Sequence, residues 1–205
     1  MSSASTTAPR RRMSRADRER QILDVALEVF AERGFRDASM EAVAERAGIT
    51  KPVLYTHFGS KDGLLLACIG RVRAELLEVT SAAAAAASGP EEMLRSGTLA
   101  FFRYLEERGP TWTALCSGSS VAGEALEGVR AQQSDFTAGL LAAQAPGTDP
   151  QRLAGWAQVI VGACERLANW RGTEPSVTAE QATDYLMDLV WTGLAAAPPV
   201  RGGTA

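Results

Sequence analysis

The hydrophobic positions in the first part of the chain repeat at the three- and four-residue spacing of an amphipathic helix. The repeat is formed by Ile22, Val25, Ala26, Val29 and Phe30. Ser14 suits the N-cap position ahead of this repeat, and Gly34 suits the left-handed residue that ends many helices. The pattern therefore predicts a first helix over about residues 15–33.

Two short helices with almost no loop between them follow. Ser39 suits the N-cap of the segment MEAVAERA, and Gly48 ends that segment. Thr50 stands where the next helix needs a cap, and Pro52 falls in its first turn, where a backbone N–H has no intrahelical partner to lose. Phe58 ends this third helix. Two short helices joined by a tight, glycine-containing turn predict a helix-turn-helix.

The rest of the chain continues in helical periods that are separated by Gly and Pro residues. Ser60 suits the N-cap of a fourth helix, which the alanine run of residues 82–87 can extend because alanine has the highest helix propensity. Five further helices are predicted at about residues 91–108, 111–117, 120–144, 150–170 and 178–196. The sequence has no convincing run of strand alternation, so the predicted fold class is all-α with about nine helices.

Charge is distributed unevenly along the chain, whose formal net charge is −3. Residues 1–61 carry 11 Lys and Arg against 8 Asp and Glu, whereas residues 62–205 carry 10 against 16. The basic excess is sharpest at Arg10, Arg11, Arg12 and Arg15. A basic head on an acidic body indicates that the head meets a polyanion, although the same arginines also fit a solvated, disordered tail.

Several classes of protein are disfavoured by the sequence. Cys68, Cys116 and Cys164 are odd in number and widely spaced, which does not suggest a disulfide framework. No apolar segment has the length of a membrane span or follows the N-terminal arginines as a secretory signal requires, so a cytoplasmic protein is expected. With one histidine, no paired Cys/His ligands and no Gly-rich phosphate loop, we expect neither an enzyme nor a cofactor or metal site.

The third helix has an unusual outer face. On a helical wheel Leu54 and Phe58 share the inner face, while Pro52, Val53 and Thr56 lie opposite them and Tyr55 and His57 lie on the flanks. A solvated helix normally exposes Glu, Lys or Gln, whereas hydroxyl, imidazole and methyl groups suit a DNA groove. The alternative is that Val53 and Tyr55 pack against neighbouring helices.

The segments ILDVALEVFAERGF and AVAERAGITKPVLYTHFGSKDGLL together resemble the N-terminal domain of the tetracycline-repressor (TetR) family of transcriptional regulators over about residues 15–70. The resemblance implies that the recognition helix presents Thr50, Lys51, Pro52, Val53, Tyr55, Thr56 and His57 to DNA. It also implies backbone contacts from Ser39 and Met40, a phosphate contact from Lys61, and DNA contacts from the basic arm through Arg10, Arg11, Arg12 and Arg15. Gly63 departs from the family, which more often has Glu, and is expected to weaken the first turn of the fourth helix.

This reading divides the chain into four regions. Residues 1–13 are a disordered basic arm, residues 14–60 the helix-turn-helix DNA-binding domain, residues 61–197 a helical ligand-binding and dimerisation domain, and residues 198–205 a disordered tail. A short recognition helix reads few base pairs, so a homodimer on a near-palindromic operator in double-stranded DNA is expected. The predicted interface residues are Leu153, Trp156, Leu167, Trp170, Tyr185, Leu186, Leu189, Val190 and Leu194. The alternative is that these stripes face the subunit's own core.

Inner positions of the second domain are candidates for the pocket of a small, mostly apolar effector. They are Cys68, Phe101, Phe102, Leu105, Trp112, Leu115, Cys116, Phe136, Leu140, Ile160 and Glu165. Glu165 either faces a cationic group of the ligand or pairs with a basic neighbour such as Arg166 or Arg103. The expected function is a repressor that releases DNA when it binds its ligand. The alternatives are a constitutive regulator without a ligand and a cysteine-based redox sensor.

Overall fold

The computed structural model describes residues 13–116 and 120–196, and for residues 109–116 and Ser120 it describes the backbone alone. Throughout these ranges the chain forms helices and turns without a strand, which confirms the all-α prediction. The eight helices are α1 (Arg15–Asp37), α2 (Met40–Arg46), α3 (Lys51–Phe58), α4 (Lys61–Ala85), α5 (Pro90–Cys116), α6 (Ser120–Gln144), α7 (Pro150–Arg171) and α8 (Ala179–Ala195). None of these described helices combines the length and apolar content that crossing a membrane requires.

One predicted helix break is wrong. The segments predicted at 91–108 and 111–117 are a single helix, α5, which runs through Gly109 and Pro110, so the described residues form eight helices and not nine. A proline inside a helix costs about 3 kcal/mol, which is small against the packing of a long helix. Because α5 packs against α4, α1 and α8, tertiary contacts offset this local preference.

Most helix ends in the first part of the chain follow their predicted caps; Thr50 stands at the N-cap of α3, but its side chain makes no cap hydrogen bond. Gly34 has a φ of 72° and a non-helical ψ of 161°, so the regular part of α1 ends at the predicted residue and one more turn completes the element. Ser14, Ser39 and Ser60 each accept a hydrogen bond from a backbone N–H of the first turn that they precede. Gly48 has a φ of 64°, which is the left-handed conformation that the tight turn between α2 and α3 requires.

The first three helices share one hydrophobic core with α4, α5 and α6. Ala44 is 4% exposed where α2 crosses its neighbours, and Leu54 is completely buried on the inner face of α3. The same core contains Ile22, Ala26, Val29, Phe30, Val43, Leu64, Leu65, Cys68, Tyr104, Leu105 and Leu126. Two smaller clusters lie in the second domain, one around Phe102 and one around Ile160, Cys164 and Leu186. Helix α4 has 25 residues, about 37 Å, and belongs to both parts of the molecule.

Candidate DNA-binding surface and ligand cavity

Helix α3 exposes the face that the sequence predicts to be exposed. Val53 is 40% and Tyr55 41% exposed, so neither packs into the hydrophobic core. Leu54 anchors the opposite face, and Phe58 packs partly buried beside it. Pro52 is in the first turn, where it breaks no intrahelical hydrogen bond, and its carbonyl accepts a hydrogen bond of 2.8 Å from the Thr56 hydroxyl. Helix α3 is therefore short and anchored on one side by Leu54, and it exposes the Tyr55 ring and the Val53 methyl groups on the other.

His57 is turned toward α1. Its Nδ1 lies 3.1 Å from Glu19 Oε1, and its side chain is only 13% exposed. Glu19 also receives the Arg15 guanidinium at 3.1 Å, and the hydrogen bond to His57, followed by the one from Arg15, lowers the pKa of this carboxyl. The pair joins residues 38 positions apart, so no local sequence pattern could reveal Glu19 as the partner. His57 therefore fixes α3 against α1.

Lysines at the starts of α3 and α4 are also engaged within the protein. Lys61 Nζ donates to the Arg36 carbonyl at 2.9 Å and lies 4.6 Å from the centre of the Phe35 ring, so it ties α4 to the end of α1. Lys51 forms an exposed ion pair with Glu41 of α2. An exposed pair of this kind contributes little to stability, so Lys51 can exchange Glu41 for a phosphate at small cost.

Residues at the start of α2 divide into a capping residue and a core residue. Ser39 Oγ accepts a hydrogen bond of 3.1 Å from the Ala42 N–H. The Met40 side chain is 4% exposed and belongs to the hydrophobic core. The prediction that Met40 touches DNA is therefore corrected for its side chain, because only its backbone lies at the helix start. Its burial follows from the inward position that the apolar spacing of α2 assigns to it.

Gly63 makes the closest approach in the turn between α3 and α4. A Cβ at this position would lie 2.1 Å from the Phe58 carbonyl oxygen. The Gly63 N–H donates to Ser60 Oγ at 2.9 Å, so the first turn of α4 is capped. The turn is capped and leaves no room for a side chain at Gly63, and the weakening expected from the sequence stays a prediction.

The second domain encloses a cavity of about 230 Å³ between α4, α5, α6, α7 and α8. Four of the predicted pocket residues, Phe101, Phe136, Leu140 and Ile160, line it. The lining that sequence reasoning missed includes Thr80, Met93, Leu94, Thr98, Gln133, Thr137, Leu141, Gln144, Val161, Cys164 and Trp191. Among the described lining residues there is no Asp, Glu, Lys or Arg.

Some polar side chains that line the cavity have hydrogen-bond partners within the protein, and one does not. Thr80 donates to the Leu76 carbonyl at 2.8 Å inside its own helix. Burial raises the pKa of the Cys164 thiol to about 12 and outweighs the opposite effect of the neighbouring Thr98 hydroxyl. Gln133 is 8% exposed, and its Nε2 has no hydrogen-bond partner within the described part of the chain.

The other predicted pocket residues lie elsewhere. Cys68 and Leu105 are buried in the main hydrophobic core and Phe102 in a second cluster, so the prediction that they line the cavity is wrong. The side chains of Trp112, Leu115 and Cys116 lie outside the described residues, as do the arm residues Arg10, Arg11 and Arg12 and the tail from residue 197 onward.

Glu165 binds a basic side chain outside the cavity. Both of its oxygens accept from Arg130 of α6, at 2.6 and 2.8 Å, and this bond lowers the pKa of the carboxyl. The sequence predicted a pair with Arg166 or Arg103, but Arg103 binds Glu180 instead. Arg130 of α6 and Glu165 of α7 come together only because the two helices pack against each other. Their distance in the sequence could therefore not identify them as partners.

The predicted interface residues fall into two groups. Leu153 and Leu186 are buried, Leu167 and Val190 pack partly buried against the inner clusters, and Trp156 and Leu194 line the cavity. Trp170, Tyr185 and Leu189 are 42%, 44% and 81% exposed, and Val159, which was not predicted, is 64% exposed. The core alternative therefore applies to the first group, whereas the exposed group stays a candidate for the dimer interface.

A polar network around Arg71 joins α4 to α1 and α5. Arg71 binds Asp24 and Glu75 at 2.7 Å each and donates to the Arg20 carbonyl at 3.0 Å. Glu75 also accepts from the Tyr104 hydroxyl at 2.9 Å. Burial raises the pKa of Glu75, but the hydrogen bonds from Arg71 and Tyr104 outweigh it and hold this pKa below its usual value. The network couples the middle of α4 to both neighbouring helices.

The chain is similar in sequence and structure to known proteins that combine a helix-turn-helix with a helical second domain. The family described as bacterial regulatory proteins, tetR family, matches residues 22–68, and the tetracyclin repressor-like C-terminal domain matches residues 90–193. A TetR-like transcriptional regulator from Rhodococcus sp. RHA1 has a structure with a TM-score of 0.70 and 34% identity, covering 91% of this chain and 100% of that one. The chain belongs to the TetR family of transcriptional regulators.

Two curated TetR-family relatives differ in how much of their length is matched. The transcriptional activator FasR of Mycolicibacterium smegmatis is 40% identical over 95 residues, which are 46% of this chain and 43% of FasR. The transcriptional regulator EthR of Mycobacterium tuberculosis is 28% identical over 196 residues, 89% of each chain. These relatives and the matching families are transcriptional regulators and not enzymes.

Proposed function

We propose that this protein is a homodimeric, cytoplasmic regulator that represses transcription from a near-palindromic DNA operator until a small, mostly apolar ligand enters the cavity. One observation carries the proposal: α4 reaches from the helix-turn-helix at Lys61 to the cavity at Thr80. These residues are 19 positions apart, about 28 Å along a helix. One rigid element therefore touches both the candidate DNA-reading unit and the candidate ligand site.

The DNA contact is assigned to the exposed face of α3 and the residues beside it. Val53 suits the methyl group of thymine, and Tyr55 suits a base edge or phosphate. Thr50, Lys51, Pro52 and Thr56 complete this face, with Ser39, Arg15 and the basic arm Arg10–Arg12 proposed as backbone contacts. His57 and Lys61 act through their bonds to α1, which set the angle at which α3 enters the groove.

The dimer contact is assigned to the exposed faces of α7 and α8. These helices leave Val159, Trp170, Tyr185 and Leu189 uncovered, a larger apolar group than a solvated pair of helices normally exposes. Gly162 lies on the same exposed side of α7, and a Cβ there would meet open space, so a partner helix can approach closely. Four helices, two from each subunit, would bury this surface and set the spacing of the two α3 helices.

Ligand binding is proposed to act on DNA through a displacement of α4. Thr80 brings the far end of α4 to the cavity, and the Arg71 network fixes its middle to α1 and α5. A ligand that fits better when α4 is displaced would shift the population toward a dimer with the wrong spacing for its operator. The constitutive alternative predicts no such coupling.

The first experiment is selection of binding sites from random double-stranded DNA. We expect enrichment of a near-palindrome whose half-sites lie one or two helical turns apart, because two copies of α3 must reach the same face of DNA. Enrichment of no sequence above salt-sensitive background binding would contradict the proposal. Release of the selected operator by a ligand then separates the ligand-responsive regulator from a constitutive one.

Truncation of the exposed α3 side chains is expected to weaken operator binding without unfolding the protein. Val53→Ala and Tyr55→Ala should each lower operator affinity about tenfold, since one good base contact is worth roughly 1–3 kcal/mol. Leu66→Ala is the matched control, because Leu66 is also 40% exposed but lies on α4. Fluorescence anisotropy measures the affinities, and melting temperatures check the fold. Equal affinities for all four proteins would remove this face from the DNA contact.

Oxidation of a Cys116→Ser variant is expected to leave DNA binding unchanged, because the two cysteines whose side chains the structure describes are buried. Burial raises the pKa of both Cys68 and Cys164 to about 12, so near neutral pH almost all of each thiol is protonated and unreactive. Cys116→Ser leaves only these two cysteines for the test. Treatment with diamide or hydrogen peroxide should change operator affinity less than twofold. A loss that dithiothreitol reverses would support the redox sensor instead.

A further inference from the structure

Gln133 lines the cavity, and its buried side-chain amide has a donor without a hydrogen-bond partner. Of the described side chains, Gln133 Nε2 and Ser134 Oγ are buried without a hydrogen-bond partner, and Gln133 is the one that lines the cavity. Gln133 is more than nine-tenths buried. A buried amide N–H without an acceptor destabilises a protein, and nearly all such groups in folded proteins are paired. An acceptor supplied by a ligand would satisfy it.

The other polar lining groups differ from Gln133 in burial or in their partners. Thr137, Trp156 and Trp191 also carry donors but are only partly buried. The Thr80 hydroxyl donates within its own helix, and the Thr98 hydroxyl neighbours the Cys164 thiol, whose pKa it lowers. Gln144 is exposed and so lies where the cavity meets solvent. Gln133 is therefore the described lining residue whose side chain has a buried polar atom without a hydrogen-bond partner.

The charge of the lining restricts the ligand to neutral molecules. No described lining residue carries a formal charge, and neither Arg95 nor Arg130 is among them, because these bind Asp184 and Glu165. Transfer of an ionised carboxylate or phosphate to such a site without a counter-charge is strongly unfavourable. The cavity thus selects against acids and phosphate-bearing thioesters.

The size and shape of the lining restrict the apolar part of the ligand. A volume of about 230 Å³ lies below the roughly 300–1,000 Å³ typical of sites for drug-sized ligands. Phe101, Phe136, Trp156 and Trp191 supply aromatic faces to it. A compact ring or a short chain fits this space better than a long one.

We propose that the cavity binds a compact, neutral, mostly apolar molecule whose single carbonyl oxygen accepts a hydrogen bond from Gln133 Nε2. This inference deepens the ligand-responsive function proposed above and rests on it for its biological meaning. The carbonyl of a ketone, an ester or an amide supplies the same acceptor. The hydrogen bond gives the ligand its orientation, and the aromatic lining gives most of the buried contact.

Three probes of nearly equal shape test the proposal by calorimetry on the full-length chain. Butyrophenone carries the carbonyl, butylbenzene replaces it by a methylene group, and 4-phenylbutyrate carries an ionised carboxylate. The wild type should bind the ketone at least about tenfold more tightly than the hydrocarbon, because a site built for a hydrogen bond rejects an analogue that lacks the acceptor. It should not bind the acid measurably, because the cavity offers no counter-charge to the carboxylate.

Two glutamine variants assign the preference to one side chain. In Gln133→Leu the ketone and hydrocarbon should bind equally, whereas Gln144→Leu, at the exposed glutamine of the same cavity, should keep the preference. Ligand-free Gln133→Leu should melt at the same or a higher temperature than the wild type, since it removes an unsatisfied buried donor. A preference that survives in Gln133→Leu overturns the proposal, as does tighter binding of the acid or the absence of ketone binding at millimolar concentration.

Operator release distinguishes this inference from the proposed function. If butyrophenone binds through Gln133 but leaves operator affinity unchanged, the ligand-responsive function fails and the binding site stands. If another molecule releases the operator equally well from the wild type and from Gln133→Leu, the function stands and the role of Gln133 is overturned.

Discussion

The Leu189→Arg variant is expected to be a monomer that has lost at least about 100-fold in operator affinity. Leu189 is 81% exposed, the most exposed large apolar side chain of the described residues, so the substitution removes no core contact. If the face of α7 and α8 is the dimer interface, the new arginine must be buried against its own copy, and an unpaired buried charge is strongly unfavourable. The two half-sites of the operator would then be bound independently.

The expected loss in operator affinity follows from the fact that the dimer holds two recognition helices in one molecule. In a dimer the second helix binds at the high effective concentration that the first contact creates, which contributes roughly 10²–10⁴ to the affinity. Light scattering after gel filtration measures the mass, and fluorescence anisotropy measures the affinity for the full operator and for a half-site. The variant should bind both DNAs with similar, weak affinity, whereas the wild type should strongly prefer the full operator.

A second exposed position controls for the added charge. Val121→Arg places the same charge at a residue that is 36% exposed at the start of α6, next to Ala122 of the hydrophobic core that α6 shares with α1 and α4. This variant should remain a dimer with wild-type operator affinity. A Leu189→Arg protein that is still dimeric at micromolar concentration would show that another surface forms the dimer. In that case the apolar face of α7 and α8 would need a different partner.

The parts of the fold that local chemistry determines were predictable from sequence. Caps at Ser14, Ser39 and Ser60, together with left-handed glycines at Gly34 and Gly48, depend only on neighbouring residues, and the structure has each of them where the pattern predicts. The inner face of α3 was likewise predictable, because an eight-residue helix has room for only one apolar side and Leu54 occupies it.

The candidate sites depend on contacts that sequence distance does not encode. Helices α7 and α8 are apolar on more than one side, so periodicity alone could not assign Trp156 to the cavity and Leu189 to the surface. The cavity is lined by five helices, and polar residues such as Thr98 and Gln133 become part of it only when those helices pack. The bond from His57 to Glu19 spans α1 and α3 in the same way.

Gly63→Ala is expected to destabilise the protein, although alanine is the better helix former. The new Cβ would lie 2.1 Å from the Phe58 carbonyl oxygen, a backbone atom that cannot move without shifting α3 or the start of α4. Forcing extra volume into a tight contact typically costs about 1–3 kcal/mol, which exceeds the gain of about 1 kcal/mol from helix propensity. We expect a net loss of about 1 kcal/mol in the free energy of unfolding, and at most about 2 kcal/mol, measured by urea denaturation.

Gly70→Ala on the same helix is the matched control. A Cβ at Gly70 would meet open space, so this variant should be more stable than the wild type by about 0.5–1 kcal/mol through propensity alone. The two variants make the same chemical change in α4 and should shift stability in opposite directions. Gly63→Ala should also weaken operator binding under conditions where it is fully folded, since the contact sets how α3 joins α4. Stabilisation by both alanines would contradict the close approach at Phe58 and leave Gly63 as an ordinary helix position.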